Sequence, residues 1–320
     1  MPDDRAVATT ETHGRLLAGT QPGDAAWAET SVALYTDGHG GADEIAEPRK
    51  LGVVFWICIG WVAVVLFGAV FANLLPLQSP TFQNYTAINA HPSMAHLLGT
   101  DDLGRDLLSR IIYGSRVSLI VGFASVAIGM LVGGTLGLVS GYRGGRIDNI
   151  LNAGSFVLLA FPAIVAVIAI VAFWGQSLGK ITVILGVATI PLLYRVVRAT
   201  TLSYANRDFV VAARTLGAKD SRILFREILP NVVPAAVSFG LITVAIVIVL
   251  EGSLAFRGLS VALPTASWGN IISEGTANGN LSSNPYIVLW PSLAMFLLLL
   301  AINLIGDRLR NKFDVREGLV

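Results

Sequence analysis

The sequence predicts an all-α polytopic membrane protein with six transmembrane helices, and three observations carry that prediction. Hydrophobic residues make up 54% of the 320 and charged residues only 13%, outside the range of soluble domains. Six apolar runs approach the roughly 20 residues that cross a bilayer: 51–75, 113–141, 147–174, 181–203, 233–256 and 286–306. The basic residues lie mostly on one side. With the N-terminus in the cytoplasm, about fifteen Lys and Arg flank cytoplasmic ends and about five (Arg105, Arg110, Arg116, Lys180, Arg257) face outward. Both termini are therefore expected inside the cell membrane, facing the cytoplasm.

Residues 1–48 are rich in Ala, Gly, Thr, Asp and Glu, with Arg5 and Arg15 the basic exceptions, and predict a disordered acidic tail. No basic stretch leads straight into an apolar core there, so the first run is expected to stay in the membrane as an anchor. Residues 49–112 then hold the first transmembrane helix and an external loop. Residues 113–307 hold five more helices with a cytoplasmic segment at 205–231, and 308–320 form a cytoplasmic tail.

In the second run Gly129, Gly133, Gly137 and Gly141 fall at four-residue spacing on one helix face. Such a face admits another backbone at close range, within one subunit or between two. Pro162 and Pro191 interrupt the third and fourth runs, which membrane helices tolerate when neighbours satisfy the freed carbonyls.

Enzyme and metal chemistry find little support. Cys58 is the sole cysteine, and His13, His39, His91 and His96 include no H-E-x-x-H pair. Gly175-Gln176-Ser177-Leu178-Gly179-Lys180 fails as a phosphate loop, because Walker A needs four residues between its glycines and Ser or Thr after the lysine. No cofactor and no nucleic-acid partner are expected.

Before the second run, Asp101, Asp102 and Asp106 alternate with Arg105 and Arg110. Carboxylates suit hard cations, yet the interleaved arginines favour internal salt bridges. His91 and His96 read as surface residues of the same loop, and Asn84-Tyr85-Thr86 is a chance sequon. In the external loop 257–285, Trp268 and the nearby Trp290 read as headgroup-level anchors, with a role at the outer mouth as the alternative.

Glu251 is the one acidic residue well inside a run. It reads either as a pathway or gating residue, or as a hydrogen-bonded glutamate that locks helices together with Arg257.

The most informative stretch runs from Asp208 to Asn231: a polar, arginine-bearing insert that predicts two short helices hinged at a glycine. Asp208 suits the first N-cap and Gly217 a C-terminal stop at positive φ, with Ala212, Ala213 and Arg214 between them and Ala218 beyond. Asp220 or Ser221 caps the second helix, and Pro230 is expected to end it. A cytoplasmic knuckle on a membrane chain with no nucleotide site of its own suggests transport driven by a soluble partner. A secondary transporter or channel is the rival reading, but it would spread acidic and His residues through the spans, where only Glu251 is found.

Several motifs carry a resemblance. His96-Leu97-Leu98-Gly99-Thr100-Asp101-Asp102-Leu103-Gly104-Arg105-Asp106, Gly141-Tyr142-Arg143-Gly144-Gly145, Phe161-Pro162, Leu229-Pro230-Asn231, Pro264-Thr265-x-Ser267-Trp268-Gly269 and Asn303-Leu304-Ile305-Gly306-Asp307 are all present. Together, over roughly residues 90–316, they resemble the C-type permease subunits of ABC importers for dipeptides and oligopeptides. The resemblance implies a type I importer core, a second related permease, two ABC ATPase subunits that use ATP and Mg, an extracytoplasmic substrate-binding protein and surrounding lipid. Related permeases also carry nickel complexes, glutathione or haem.

In that family the hinged segment is the coupling helix, marked by Glu-Ala-Ala and a glycine four residues after the last Ala. Ala212, Ala213 and Gly217 fit, whereas Val211 stands at the glutamate position. Glu227 and Arg257 also depart from the pattern.

Overall fold

In lipid a backbone must satisfy its own polar groups, so apolar runs of this length become helices. The computed structural model describes residues 52–317, and the tail expected at 1–48 lies outside the described residues. The order is α1 (Val53–Phe71), α2 (Leu107–Arg143), α3 (Gly145–Ala160), α4 (Ala163–Trp174), α5 (Leu178–Ala205), α6 (Asp208–Thr215), α7 (Asp220–Ala255), α8 (Trp268–Ala277), α9 (Asn280–Ser283) and α10 (Tyr286–Glu317). Among the described residues, five helices are long and apolar enough to cross a membrane, and α3 with α4 makes a sixth if that bent pair is one broken span.

Several boundaries differ from those the sequence predicts. Helix α2 starts at Leu107, earlier than 113, because the Asp106 carboxylate accepts a hydrogen bond from Ser109 N at 2.8 Å and caps it. Helices α3 and α4 meet at 79°, since Phe161 ahead of Pro162 is held in an extended conformation (φ −84°, ψ 132°). Pro191, by contrast, lies within α5 without ending it. Helix α10 continues through the expected tail to Glu317.

The glycine stripe packs within the subunit. A Cβ at Gly137 would stand 2.6 Å from Tyr194 O and one at Gly141 2.8 Å from Arg198 O, while one at Gly133 would fall on Ile190 O. Helix α2 thus lies directly on the backbone of α5. The main core gathers Leu107, Val121, Leu185, Ile248, Leu254 and Trp268. A second apolar cluster at the opposite end joins Leu138, Val197, Val210, Ile223 and Val232.

The segment ahead of α2 is tied down by charge. Asp101 Oδ2 accepts from Arg105 Nε at 2.7 Å and also from Arg110, and both arginines reach Glu274 of α8, at 3.0 and 2.6 Å. Asp102 accepts from Asn278 (2.7 Å) and Asn280 (2.6 Å). His96 is not a surface residue: it is buried and pairs through Nδ1 with Asp106 at 3.0 Å. Arg116 donates to the carbonyls of Ala69 and Val70 that end α1, a site where positive charge is favoured.

Trp268 is not a headgroup anchor. It is 1% exposed and its indole N–H donates to Ile111 O at 2.9 Å, because α8 folds the segment after α7 back onto the bundle. Lys180 of the rejected phosphate loop donates to Trp174 O at 2.6 Å, next to the end of α4.

Candidate functional site

Helix α6 and the start of α7 form the knuckle. Charge placement suits α6, with Asp208 in its first turn and Arg214 in its last. The cap itself is displaced by one residue: Arg207, extended, takes the N-cap position and Asp208 is the first helical residue. At the other end Gly217 has φ +76°, its N–H bonds to Arg214 O (3.0 Å), and Ala218 N–H bonds to Ala213 O (3.0 Å). This paired closure satisfies two orphan carbonyls, and Ala213 and Ala218 both pack on the second apolar cluster.

Pro230 does not end the second helix. Helix α7 runs unbroken from Asp220 to Ala255, with a π-helical turn at Ile223–Ile228 just before the proline. A wider turn relieves the clash of a proline ring with the preceding carbonyls. Asn231 Nδ2 donates to Glu227 O at 2.6 Å, which satisfies one carbonyl of that region. The knuckle is therefore rigidly continuous with a span of 36 residues, a rod about 54 Å long.

One face of the knuckle is anchored and the other bare. Val210 and Ile223 are fully buried. Val211 (50%), Leu216 (87%) and Phe225 (60%) are exposed, and Phe209 is half-exposed. Arg207, Arg214, Lys219, Arg222 and Arg226 are exposed in the same segment, against Asp208, Asp220 and Glu227. Asp208, Val211, Ala212, Ala213, Arg214, Gly217 and Ala218 thus share one small unit, with Pro230 on the adjoining helix.

Tyr142 belongs to this unit although sequence reasoning did not place it there. Its hydroxyl donates to Asp220 Oδ1 at 2.8 Å and its ring lies 5.8 Å from the Arg214 guanidinium, so it ties both arms of the knuckle to α2. The signal was the Gly141–Gly145 turn, which projects this tyrosine beside the segment. Above it, Arg198 makes a two-pronged pair with Asp148 (2.5 and 2.6 Å), which also accepts from Ser140 at 2.5 Å. These groups join α2, α3 and α5 near the knuckle.

Glu251 and Arg257 are at the other end of α7 and are not brought together. Glu251 is 1% exposed and Oε1 accepts from Ser260 (2.5 Å) and Ser267 (2.8 Å), while Arg257 is exposed. The expected glutamate–arginine lock is replaced by a glutamate–serine lock, because Gly258, at φ +65°, turns the chain and returns Ser260 to the helix end. Glu251 thereby fastens α7 to the loop that follows it.

A family model described as binding-protein-dependent transport system inner membrane component matches residues 133–317. The chain belongs to that family. Among relatives of this permease, a glutathione transport system permease protein, GsiD, of Pectobacterium atrosepticum is 41% identical over 241 residues, 75% of this chain and 79% of the relative. A dipeptide transport system permease protein, DppC, of Alkalihalophilus pseudofirmus is 37% identical over 273 residues, 84% of this chain and 86% of the relative. A solved inward-facing structure of the MetNI methionine ABC transporter superposes with TM-score 0.55 at 20% identity, over 64% of this chain and 97% of that one, and shows the fold. The protein is a multi-pass membrane permease rather than an enzyme.

Proposed function

We propose that this permease carries di- or oligopeptides inward as part of an ATP-driven importer, with N- and C-termini in the cytoplasm. Two ABC ATPase subunits bind ATP and Mg and grip the knuckle. A second, related permease completes the pathway, and an extracytoplasmic binding protein delivers the solute. The observation that carries this reading is the exposed apolar surface of the knuckle, Val211, Leu216 and Phe225, set among exposed basic groups at the start of α7. Exposed apolar surface of this kind on a charged segment marks a protein contact.

The mechanism follows from the continuity of the knuckle with α7. When the ATPases close, α6 moves with them, and α7 transmits the displacement along its length to the Glu251–Ser267 lock outside. Rigid-body rocking of this kind alternates access between the two faces. The importance of Asp208, Val211, Ala212, Arg214 and Gly217 for coupling is part of this proposal.

Glutathione is the second reading, favoured by the 41% identity to a glutathione permease. Uptake of labelled dipeptide and labelled glutathione by the assembled complex in vesicles separates the two. The expected result is ATP-dependent dipeptide uptake that requires the binding protein. Uptake driven by an ion gradient without ATP would instead favour a secondary transporter.

A further inference from the structure

Arg195 of α5 is a cation within a membrane-length helix, and no acidic side chain among the described residues pairs with it. It lies ten residues above Ala205, about 15 Å from that helix end. Its guanidinium lies 5.4 Å from the ring of Phe156, which is eleven residues along α3 from Gly145, or about 16 Å. The two helices therefore give the same depth. With α5, about 42 Å long, centred on and normal to a hydrocarbon core of about 30 Å, Arg195 stands roughly 9 Å inside that core. In the structure the guanidinium rests beside the Phe156 ring rather than reaching along α5 toward Ala205.

One turn below, Arg198 is neutralised by Asp148, whereas among the described residues no acidic side chain pairs with Arg195. Both arginines line a cavity of about 480 Å³ together with Asn152, Phe156, Leu192 and Phe239. That is within the size range of small-molecule sites. A bare guanidinium at this depth is tolerated where water or a polar solute reaches it, not against lipid tails.

We propose that Arg195, flanked by Asn152 and Phe156, is a carboxylate-binding station on the transport pathway. The guanidinium takes the carboxylate of a passing solute through two parallel N–H···O bonds, and the Phe156 ring keeps its plane in place. The occupant is a small carboxylate-bearing solute. The inference rests on the reading that the permease carries peptides or glutathione, all of which have a free carboxylate.

The test uses the whole complex in phosphatidylcholine nanodiscs, with Asn152→Cys as a reporter beside the buried native Cys58. An anionic methanethiosulfonate should modify it about tenfold faster than a cationic one of similar size. Adding Arg195→Gln should abolish the preference and Arg195→Lys should restore most of it. Millimolar dialanine should slow modification, and its C-terminal amide should not. An unreactive reporter, or a preference indifferent to Arg195→Gln, overturns the station. So does failure of the Arg195→Gln complex to assemble, which would make Arg195 a subunit contact. An Arg195-dependent preference with no protection by dialanine or glutathione keeps the anion site and overturns the peptide reading instead.

Discussion

Gly133→Ala should cripple the folded permease, whereas Gly134→Ala, one residue along, should leave it intact. A methyl group at Gly133 falls on Ile190 O, with Tyr194 N 3.1 Å away, and both are backbone atoms of a buried helix that cannot swing aside. At Gly134 the nearest atom is Met130 Sδ at 3.5 Å, an ordinary contact with a flexible side chain. Ordinary overpacking costs about 1–3 kcal/mol, and a clash with main chain lies at or beyond the top of that range. Alanine at 134 would instead gain up to about 1 kcal/mol of helix propensity. Thermal unfolding of the detergent-solubilised complex measures both. The expected result is a large fall in midpoint, or no recoverable complex, for the first variant and an unchanged or raised midpoint for the second. Equal midpoints would mean that α2 and α5 do not touch through this stripe.

Gly217→Val should uncouple transport while sparing the fold. Nothing lies within 4 Å of a Cβ at Gly217, so the substitution meets no steric obstacle in space. The cost is conformational: φ is +76°, a region that costs an L-residue about 1–2 kcal/mol and a β-branched one more. That strain is relieved by opening the turn between α6 and α7, which breaks the paired closure at Arg214 and Ala213. Substrate uptake should fall about tenfold while ATP hydrolysis by the complex persists, since 1–2 kcal/mol corresponds to a factor of roughly 5–30. Gly217→Asn, whose side chain tolerates positive φ, should retain most uptake. If valine and asparagine behave alike, the turn geometry is not what transmits the stroke.

Much of the architecture was legible in the sequence because membrane helices obey a local rule. Run length and charge asymmetry suffice to count spans, and the glycine period gives the face that packs. Gly217 was legible because positive φ at a helix end has a residue preference. What escaped was non-local. His96 looks like a surface residue until it packs against Asp106, and Trp268 like an interface residue until α8 folds back to bury it. Pro230 signals a helix end by local chemistry, and only the adjacent π-helical turn lets α7 pass through it. The partners of Glu251 lie 9 and 16 residues on, so no helical spacing rule could link them. Arg195 and Arg198 were read as one cytoplasmic charge set. Asp148, on another helix, is what makes one of them a structural pair and leaves the other bare.

The central claim is that the α6 knuckle is a lever on the cytoplasmic side, gripped by nucleotide-binding partners. Leu216, 87% exposed at its tip, allows a direct measurement. With Leu216→Cys in the assembled complex, a membrane-impermeant thiol reagent should label the knuckle in inside-out vesicles only, and added ATPase subunits should block that labelling. Labelling of intact cells from the external medium would contradict the account.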